Sequence, residues 1–390
     1  MNPFSPGAGT RPYELVGREQ VLTSFDVAVS RAGLRLHAQS KILYGLRGVG
    51  KTVLLREFVS VARRKHWIVI AVEAKPGESV LPALTRELFK EIRNAGRSWA
   101  GDSLTWVKRV FKSFSVRADP ASGTYTFGVD LEPAHGYADS GVLDRDLQEM
   151  FVELAVLAGH HDVGVLVVID ELQEVERATL TALNATVHAM GQGSEPAPFL
   201  LAGAGLPSLR AILADATSYA ERMYEFCLID RLAEHDTSEA LTAPMAAHGL
   251  SWDARVLQRA VSFSGGYPYF VQMIGKHAWN IAALPIITET DVDAAIQDAS
   301  FEIDTGLYAS RWQRATPAEQ QYMQAMADLR PDGAPVRVAD LLAPLGKEKP
   351  GQLSPVRSNL ISKGLVYVPD RGEVAFTVPG MAQYVARQVV

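Results

Sequence analysis

Short, largely apolar segments alternate along this chain with longer segments in which apolar residues recur every three or four positions. The short segments are rich in Val, Ile and Leu, as buried strands are, and the longer ones have the helical period. This alternation predicts an α/β fold, a parallel sheet with helices on both faces. The predicted strands are 41–44, 67–74, 161–169, 198–203 and 223–229, and the helices between them are 18–35, 53–58, 80–94, 141–159 and 176–191.

Two regions depart from this alternation. Residues 96–140 contain two strand-like segments, 114–117 and 124–129, around a Pro-Ala-Ser-Gly turn, which predicts an inserted hairpin. After residue 232 no long strand is expected until the 360s. The pattern therefore predicts an α/β core over 1–232, a small helical domain over 233–304 and a helical unit with two short strands over 305–390.

Residues 45–52 read Gly-Leu-Arg-Gly-Val-Gly-Lys-Thr and match the phosphate-binding loop G-x-x-x-x-G-K-[ST], with a predicted strand before it and a helix after it. Backbone amides of such a loop surround phosphates at a helix N-terminus. Lys51 is expected to reach the β and γ phosphates, and the Thr52 hydroxyl to bind Mg²⁺. The residues expected to bind nucleotide here are Gly45, Arg47, Gly48, Val49, Gly50, Lys51, Thr52 and Val53.

Two carboxylates, Asp170 and Glu171, end the apolar strand 165–169. Ligands of parallel sheets lie at the carboxyl ends of the strands, so Asp170 is expected beside the phosphate loop as a Mg²⁺ partner. Glu171 is then positioned to polarise a water for attack on the γ-phosphate. A solvated acidic turn is the alternative. A paired acid favours ATP hydrolysis over a small-molecule kinase, for which no acceptor site is recognisable.

The composition limits the remaining possibilities. The chain has 390 residues, 47% apolar and 21% charged, which is ordinary for a globular protein of two or three domains. A net charge of −6 means that any nucleic-acid contact must come from a local patch. The single cysteine, Cys227, excludes an internal disulfide and fits the reducing cytoplasm. No apolar run reaches 18 residues, so no membrane span is expected.

With these motifs, the chain resembles AAA+/STAND P-loop ATPases. Residues 13–19, Tyr-Glu-Leu-Val-Gly-Arg-Glu, resemble the box that precedes the phosphate loop in replication-initiator and STAND ATPases. The resemblance implies that Val16, Gly17 and Arg18 lie beside the adenine of ATP or ADP. The order of segments is similar to that of archaeal and bacterial initiator-like ATPases with a C-terminal winged helix, and the likeness extends over nearly the whole chain.

The resemblance assigns roles to three further residues. Arg222 stands where relatives carry an arginine finger, which would act in the site of a neighbouring subunit of a homo-oligomer; a surface salt bridge is the alternative. Tyr267 and Pro268 belong to a Gly-Gly-Tyr-Pro segment similar to the lid signature of STAND proteins, which implies that they contact the nucleotide; a plain helix start is the alternative.

Two departures from the family pattern indicate slow turnover. Ala202 and Gly203 occupy the sensor-1 strand, where relatives place a polar side chain, and Pro268 lies where many AAA+ proteins carry a sensor-2 arginine. We therefore expect a switch in which the bound nucleotide controls shape or assembly.

The last segment resembles a winged-helix domain. Thr316, Pro317 and Glu319 predict a capped helix start, a second short helix is expected over 337–345, and a third over 354–364. In the third helix Ser354 is expected to cap, Gly364 to end the helix, and Val356, Leu360 and Ile361 to be buried. The residues expected to contact DNA are Arg357, Ser358, Asn359 and Lys363 on this helix and Arg371 at the tip of the following hairpin.

The charge of this segment leaves its partner open. Residues 305–390 hold ten Lys or Arg and seven Asp or Glu, a net charge of +3. This is mildly basic, so docking of a protein partner remains an alternative to DNA. The sequence thus predicts a cytoplasmic, Mg²⁺-dependent ATP switch that acts on DNA. The alternative is a nucleotide-dependent signalling or scaffold protein.

Overall fold

A five-stranded parallel sheet lies at the centre of the first half of the chain. The computed structural model describes residues 1–7, 9–95, 115–118, 125–128, 143–192 and 196–388. The strands of this half are β1 (Ser40–Tyr44), β2 (Ile68–Glu73), β3 (Ser115–Ala118), β4 (Tyr125–Gly128), β5 (Val165–Asp170), β6 (Phe199–Gly205) and β7 (Tyr224–Leu228). Five of them form the sheet in the order β2-β5-β6-β1-β7, and every pairing is parallel.

Helices cover both faces of this sheet, which confirms the predicted α/β class. Alternate strand residues point to opposite faces. Ile70 and Val167 pack among helices α3 to α5, whereas Val69 and Leu166 pack against α1 and α2. The helices of this half are α1 (Glu19–Gly33), α2 (Lys51–Arg64), α3 (Leu81–Ala95), α4 (Leu143–His160), α5 (Arg177–Gly191), α6 (Leu209–Ala216) and α7 (Ala220–Met223).

Strand β6 brings the carboxyl ends of β1 and β5 together. Ile42 of β1 and Ile169 of β5 both pair with Gly203 of β6, on its two sides. The chain therefore leaves β1 and β5 at one edge of the sheet, separated by a single strand. A side chain at position 203 would collide with the Leu172 side chain, which explains why β6 has no polar group at this point.

Strands β3 and β4 pair antiparallel as a separate two-stranded sheet, as predicted for this hairpin. The rest of the predicted insertion, 96–114, 119–124 and 129–140, lies outside the described residues.

The second half of the chain is mainly helical and shares one hydrophobic core that extends from Ala240 to Val385. A π-helix, Ile303–Tyr308, joins α11 directly to α12, so the predicted boundary at 304/305 falls inside a continuous helical run. No helix in the described ranges is long and apolar enough to cross a membrane. The helices are α8 (Glu234–Ala246), α9 (Ala254–Ser264), α10 (Pro268–Ile281), α11 (Glu289–Glu302), α12 (Ala309–Gln313), α13 (Pro317–Leu329), α14 (Ser354–Ser362) and α15 (Met381–Ala386).

Short strands complete this half. They are β8 (Ser251–Trp252), β9 (Ile286–Ile287), β10 (Val336–Arg337), β11 (Val366–Tyr367) and β12 (Glu373–Phe376). Strands β10, β12 and β11 form an antiparallel sheet in that order.

Three local predictions here were wrong. Residues 337–345 are not a helix but the end of β10 followed by turns, because Val336 and Arg337 pair with β12 and Pro344 has no N–H to donate to a helical hydrogen bond. Ser354 makes no cap hydrogen bond, since α14 continues from a 3₁₀ helix. Ile361 is 37% exposed. The capping box at Thr316 and the left-handed Gly364 are as predicted.

Candidate nucleotide-binding site

The phosphate loop connects β1 to α2 and depends on its glycines. Gly50 is the N-cap residue of α2, with φ of 97°. Gly48 has φ of 83°, and a Cβ there would clash with the Tyr267 hydroxyl; one at Gly45 would clash with the Ile229 carbonyl. Because only glycine fits these three positions, the loop can curl back on the first turn of the helix, as a phosphate-binding loop does.

Lys51 is buried within this loop. Its Nζ donates hydrogen bonds to the carbonyl oxygens of Gly45, at 2.9 Å, and Leu46, at 2.7 Å. Burial lowers the pKa of Lys51 to about 8, and the carboxylates of Glu171 and Asp170 partly oppose this shift. A buried ammonium that only neutral carbonyls satisfy favours an anionic ligand, since a polyphosphate would offset the cost of desolvation.

Thr52 and Asp170 meet across the edge of the sheet. The Thr52 hydroxyl donates to Asp170 Oδ2 at 2.6 Å. The described residues contain no group of three or more His, Cys, Asp or Glu side chains that could hold a metal by themselves. A hydroxyl and a carboxylate nevertheless fit Mg²⁺, which takes oxygen ligands and draws the remainder from phosphates and waters.

Glu171 follows Asp170 in a left-handed backbone conformation, with φ of 51°. Both of its carboxylate oxygens accept hydrogen bonds: Oε1 from Arg47 Nη1 at 2.8 Å and Oε2 from Gln173 Nε2 at 2.6 Å. Such a conformation is uncommon outside glycine and is concentrated at functional sites.

The box before α1 lies against the same loop. Arg18 Nη2 donates to the carbonyl oxygens of Asp230, at 2.5 Å, and Val49, at 3.3 Å. Burial lowers the pKa of Arg18, and the Asp236 carboxylate opposes this shift. Gly17 has φ of 69° and approaches Asp236 so closely that a Cβ would clash. Val16, Arg18 and the phosphate loop therefore border one space.

Tyr267 and Pro268 close that space from the helical half. The Tyr267 ring is buried, its hydroxyl donates to the carbonyl oxygen of Arg47, and burial raises its pKa. Pro268 is the first residue of α10. Pro268 therefore begins a helix, as one of the two alternatives predicted, and it also lines the cavity.

Except for Gly17 and Gly45, the predicted nucleotide-binding residues, together with Asp170 and Glu171, line one cavity of about 610 Å³, within the size range of ligand pockets. Several of its lining residues were not identified from the sequence. Arg56 was detectable, because it lies one helical turn beyond Thr52. Arg311 and Val378 carried no signal, since only the tertiary fold brings these distant residues to the phosphate loop. The missed lining residues are Ser5, Pro6, Gly7, Gly9, Thr10, Pro12, Glu14, Leu15, Leu54, Arg56, Glu73, Leu232, Ala240, Tyr269, Val271, Gln272, Leu307, Arg311 and Val378.

The N-terminal strap, defined as residues 1–7 and 9–12, crosses the mouth of this cavity. Phe4 is only 4% exposed and packs on α10 at Gly275, where any Cβ would clash with its ring. Toward the other end of the strap, the carbonyl of the lining residue Gly9 accepts a hydrogen bond from Arg56, and Arg11 forms an ion pair with Glu57 at 2.7 Å. The strap is thus attached on both sides of the cavity.

Arg222 lies at the opposite edge of the sheet from the phosphate loop. It is exposed in α7, just before Tyr224, which pairs with Ser40 at the first residue of β1. Its carbonyl accepts a hydrogen bond from Gln39 at 3.2 Å. Because the loop follows the last residue of β1, Arg222 does not belong to the cavity of its own chain.

The predicted DNA contacts lie apart from the cavity and differ in their exposure. On α14, Ser358 and Asn359 are exposed and Arg357 is half-buried, and Arg371 is exposed at the turn between β11 and β12. Lys363 is instead engaged within the chain: its Nζ lies 2.6 Å from Glu319 Oε2 and 3.0 Å from the Arg314 carbonyl.

Comparisons with known proteins agree with this geometry. Residues 14–201 match the AAA ATPase domain family, and residues 305–385 match a domain of unknown function (DUF8462). No curated protein matches the chain in sequence.

Among solved structures, a Walker-type ATPase of Pyrococcus abyssi is similar over 96% of this chain and 97% of its own, with 17% identity and a TM-score of 0.58. Looser superpositions include Orc1 of Aeropyrum pernix in complex with DNA (TM-score 0.47, 15% identity, 96% and 93% covered). A RuvB mutant of Thermotoga maritima is similar to the same degree (TM-score 0.47, 15% identity, 94% and 95% covered). Residues 14–201 thus form a domain of the AAA ATPase family with a P-loop, and the protein is an ATPase.

Proposed function

We propose that this ATPase is a slow, initiator-like molecular switch of the AAA+/STAND type, which binds Mg·ATP in the cavity described above. The observation that carries the proposal is the convergence of Lys51, the Thr52–Asp170 pair and Glu171 on one cavity beside a glycine-rich helix N-terminus. Each member is ordinary by itself; the set is typical of phosphoryl transfer. We also propose that the protein works in the cytoplasm.

In the proposed reaction, the amides of Gly48 to Thr52 and the Lys51 ammonium hold the phosphate tail. Mg²⁺, when bound through Thr52 and Asp170, neutralises the charge that develops on the phosphates. Glu171 accepts a proton from water as the water oxygen bonds to the γ-phosphorus. The bond from this phosphorus to the β–γ bridging oxygen breaks, and ADP and phosphate leave.

Slow turnover is supported by the resting position of Glu171. Oε1 and Oε2 each accept one hydrogen bond, from Arg47 and Gln173, and this pair of bonds fixes the orientation of the carboxylate, which has to turn if it is to face an attacking water. Strand β6 contributes Gly203 at the position where a polar side chain would otherwise orient that water.

The test is calorimetric and kinetic. Lys51→Ala is expected to lower ATP affinity at least tenfold, because a buried charge contact to phosphate is lost. Glu171→Gln is expected to retain ATP binding and to reduce kcat by a factor of about 100 or more. Unchanged ATP affinity in Lys51→Ala, or unchanged turnover in Glu171→Gln, would reject the assignment of these residues.

We further propose that residues 305–390 form a winged helix that binds DNA. Supporting features are the antiparallel sheet β10-β12-β11 beside α13 and α14, and the exposed polar residues Ser358, Asn359 and Arg371. In this arrangement α14 would enter a major groove and Arg371 would contact a phosphate. Lys363 is the weakest member of the set, since its ion pair with Glu319 occupies it.

Fluorescence anisotropy on duplex DNA, measured over a range of salt concentrations, tests this part. Arg371→Ala and Arg357→Ala should each weaken binding and reduce the salt slope by about one. Arg330→Ala is the matched control, because Arg330 belongs to the same unit and is paired with Asp332 at 3.1 Å. Absence of binding to any duplex at low salt would contradict the proposal.

The alternative is a signalling or scaffold protein whose last segment docks a protein partner. The modest net charge of +3 and the internal pairing of Lys363 favour it. One stable protein partner in a pull-down, with no DNA affinity, would decide for this alternative. If Arg222 acts as a finger in a homo-oligomer, mixing Arg222→Ala with Lys51→Ala subunits should restore part of the activity.

A further inference from the structure

Another cavity opens at the amino-terminal edge of the sheet, opposite to the nucleotide cavity. This amino-edge cavity has a volume of about 270 Å³. Ser40 and Phe199, the first residues of β1 and β6, lie in its wall, and it is enclosed by the loop before β1, the end of α5 and α7. Its volume is just below the ~300–1,000 Å³ of pockets for drug-sized ligands, so it suits one heterocyclic ring better than a whole nucleotide.

Aromatic and apolar side chains line the amino-edge cavity. The rings of His188 and Tyr219 both border it and stack on each other, with centroids 4.6 Å apart and planes at 29°. The side-chain nitrogen of Gln192 lies 2.7 Å from His188 Nε2. An aromatic pair beside hydrogen-bonding groups in an apolar pocket is typical of sites that bind an unpaired base. The apolar lining includes Leu36, Met190, Pro196, Phe199 and Met223.

A buried network fixes the segment that carries Tyr219. Asn184 of α5 is fully buried; its Nδ2 donates to Thr217 Oγ1 at 2.8 Å, and its Oδ1 accepts from the Tyr224 hydroxyl at 2.7 Å. Thr217 and Tyr224 flank Tyr219, so both ends of this short segment are tied to the helix that also carries His188. The two rings are therefore positioned before any ligand arrives, which reduces the ordering cost of binding.

The edge of the sheet around this cavity is basic. Because the five strands are parallel, the segments that precede them end at this one edge. The whole chain has a net charge of −6, so a polyanion would be attracted to this edge more than to the average surface. Six Arg or Lys and three Asp or Glu, a net charge of +3, occur in the described residues of these segments, which are 31–39, 63–67, 160–164, 196–198 and 215–223.

Some of these cations lie at the cavity and others farther along the edge. Arg222 is exposed and lines the cavity. Arg31 is exposed, and its Nε donates to the carbonyl of the lining residue His37 at 3.0 Å, which keeps the guanidinium at the rim. Before β2, Arg64 is exposed, whereas Lys65 is already paired with an aspartate. Phosphates on either side of a base held in the cavity would therefore meet positive charge.

We propose that the amino-terminal edge of the sheet binds single-stranded nucleic acid, with one unpaired base in the amino-edge cavity and neighbouring phosphates on the arginines of the edge. A single strand can insert a base into such a cavity, whereas the bases of a duplex are stacked on each other. This surface is separate from the proposed duplex contacts of residues 305–390, since Val378 of that unit lies at the nucleotide cavity on the opposite edge.

Fluorescence anisotropy of the full chain with a fluorescein-labelled oligothymidylate tests the role of the rings. Saturating Mg·ADP keeps the strand out of the nucleotide cavity. Tyr219→Ala should weaken binding at least fivefold, the effect of losing the stacking of one base, and Tyr219→Phe should bind like the native chain. Phe301→Ala is the matched control, because Phe301 is an aromatic residue that is 70% exposed in α11.

Obstruction of the cavity is an independent test that removes no ring. Gly191 lines the cavity, and a Cβ there would contact none of the described residues, so a side chain can be added without a clash. Gly191→Leu should weaken binding of the oligothymidylate at least fivefold, and Gly191→Ala should weaken it much less. Thermal unfolding of each variant shows whether the fold is retained, and Gly191→Leu decides the matter if Tyr219→Ala does not fold.

The salt dependence of binding tests the arginines. Arg31→Gln and Arg64→Gln should each reduce the slope of log affinity against log salt concentration by about 0.7, the value for one phosphate contact of a single strand. Arg255→Gln removes the same charge from an exposed position in α9 and should leave the slope unchanged. Arg222 is left native in every variant, because a role as an arginine finger is proposed for it.

Native affinity in both Tyr219→Ala and Gly191→Leu would overturn the proposal. Loss of single-strand binding in Arg371→Ala, with full binding in Tyr219→Ala, would place the strand on the last unit and overturn it as well. Thymidine monophosphate that binds as tightly as the oligothymidylate would make the cavity a site for a free nucleotide, not for a strand. Single-strand binding by a chain that binds no duplex would support the proposal, so its failure and that of the winged-helix proposal are distinguishable.

Discussion

Replacement of Phe4 by Ala should accelerate nucleotide release without unfolding the protein. Phe4 is 4% exposed and is the main apolar anchor of the N-terminal strap on α10. The remaining attachments at this end are polar and partly exposed: Asn2 donates to the Lys276 carbonyl at 3.0 Å and to Asn280 at 2.8 Å, and the Ser5 amide donates to Gln272 at 3.1 Å. Loss of the ring therefore weakens mainly the closure of the cavity.

The size of the effect follows from the buried ring. Burial of a Phe side chain contributes about 1.5–3 kcal/mol, so its removal should cost docking of the strap about 2 kcal/mol. Since about 1.4 kcal/mol corresponds to a factor of ten, the open population should rise about thirtyfold. If the strap must leave before nucleotide can, the dissociation rate rises by the same factor.

Stopped-flow chase of a fluorescent ADP analogue measures this rate directly. Phe4→Leu should lie between the native protein and Phe4→Ala, because it retains much of the apolar contact. Phe301→Ala is the matched control, since Phe301 is 70% exposed and lies away from the cavity. A dissociation rate of Phe4→Ala within twofold of the native rate would refute the role of the strap in nucleotide retention.

Three further predictions follow from individual residues. Gly48→Ala combines φ of 83° with a clash against Tyr267 and should lower ATP affinity at least tenfold by calorimetry, whereas Gly77→Ala, with φ of 72° and open space, should not. Burial raises the pKa of Cys227 to about 11, so at pH 8 its alkylation should be about a hundredfold slower than that of an exposed thiol, and urea should abolish the difference; fast labelling of the folded chain would contradict this. Lys363→Ala leaves the buried Glu319 carboxylate without its partner and should lower the free energy of unfolding by about 1–3 kcal/mol in urea titrations, and adding Glu319→Gln should recover part of the loss; unchanged stability would show that Lys363 is free for another role.

The sequence by itself determined the sheet and the phosphate-binding chemistry. The aliphatic run 165–169 before Asp170, and the shorter pair Ile42 and Leu43 before Tyr44, favour buried parallel strands, and the carboxyl ends of parallel strands lie at one edge of the sheet. The glycines at 45, 48 and 50 carry a signal of their own, because each occupies a backbone position that no other residue fits. Constraints of this kind act between residues that are adjacent in the chain, so the sequence shows them directly.

Only the tertiary structure decided what surrounds that chemistry. Arg311 reaches the cavity, and Phe4 reaches Gly275 of α10, across several hundred residues, and neither has a sequence pattern that differs from a surface arginine or a buried aromatic. The segment 337–345 was predicted to be a helix, but Arg337 pairs with Glu373 of β12 and residues 338–345 form turns, because sheet pairing at its start outweighs helical propensity. In the sequence, Lys363 has the pattern of an exposed basic residue on a helix, but in the fold it forms an ion pair with Glu319. Contacts between distant segments depend on which surfaces pack together. Packing is determined by the whole chain, so no short stretch of sequence can show it.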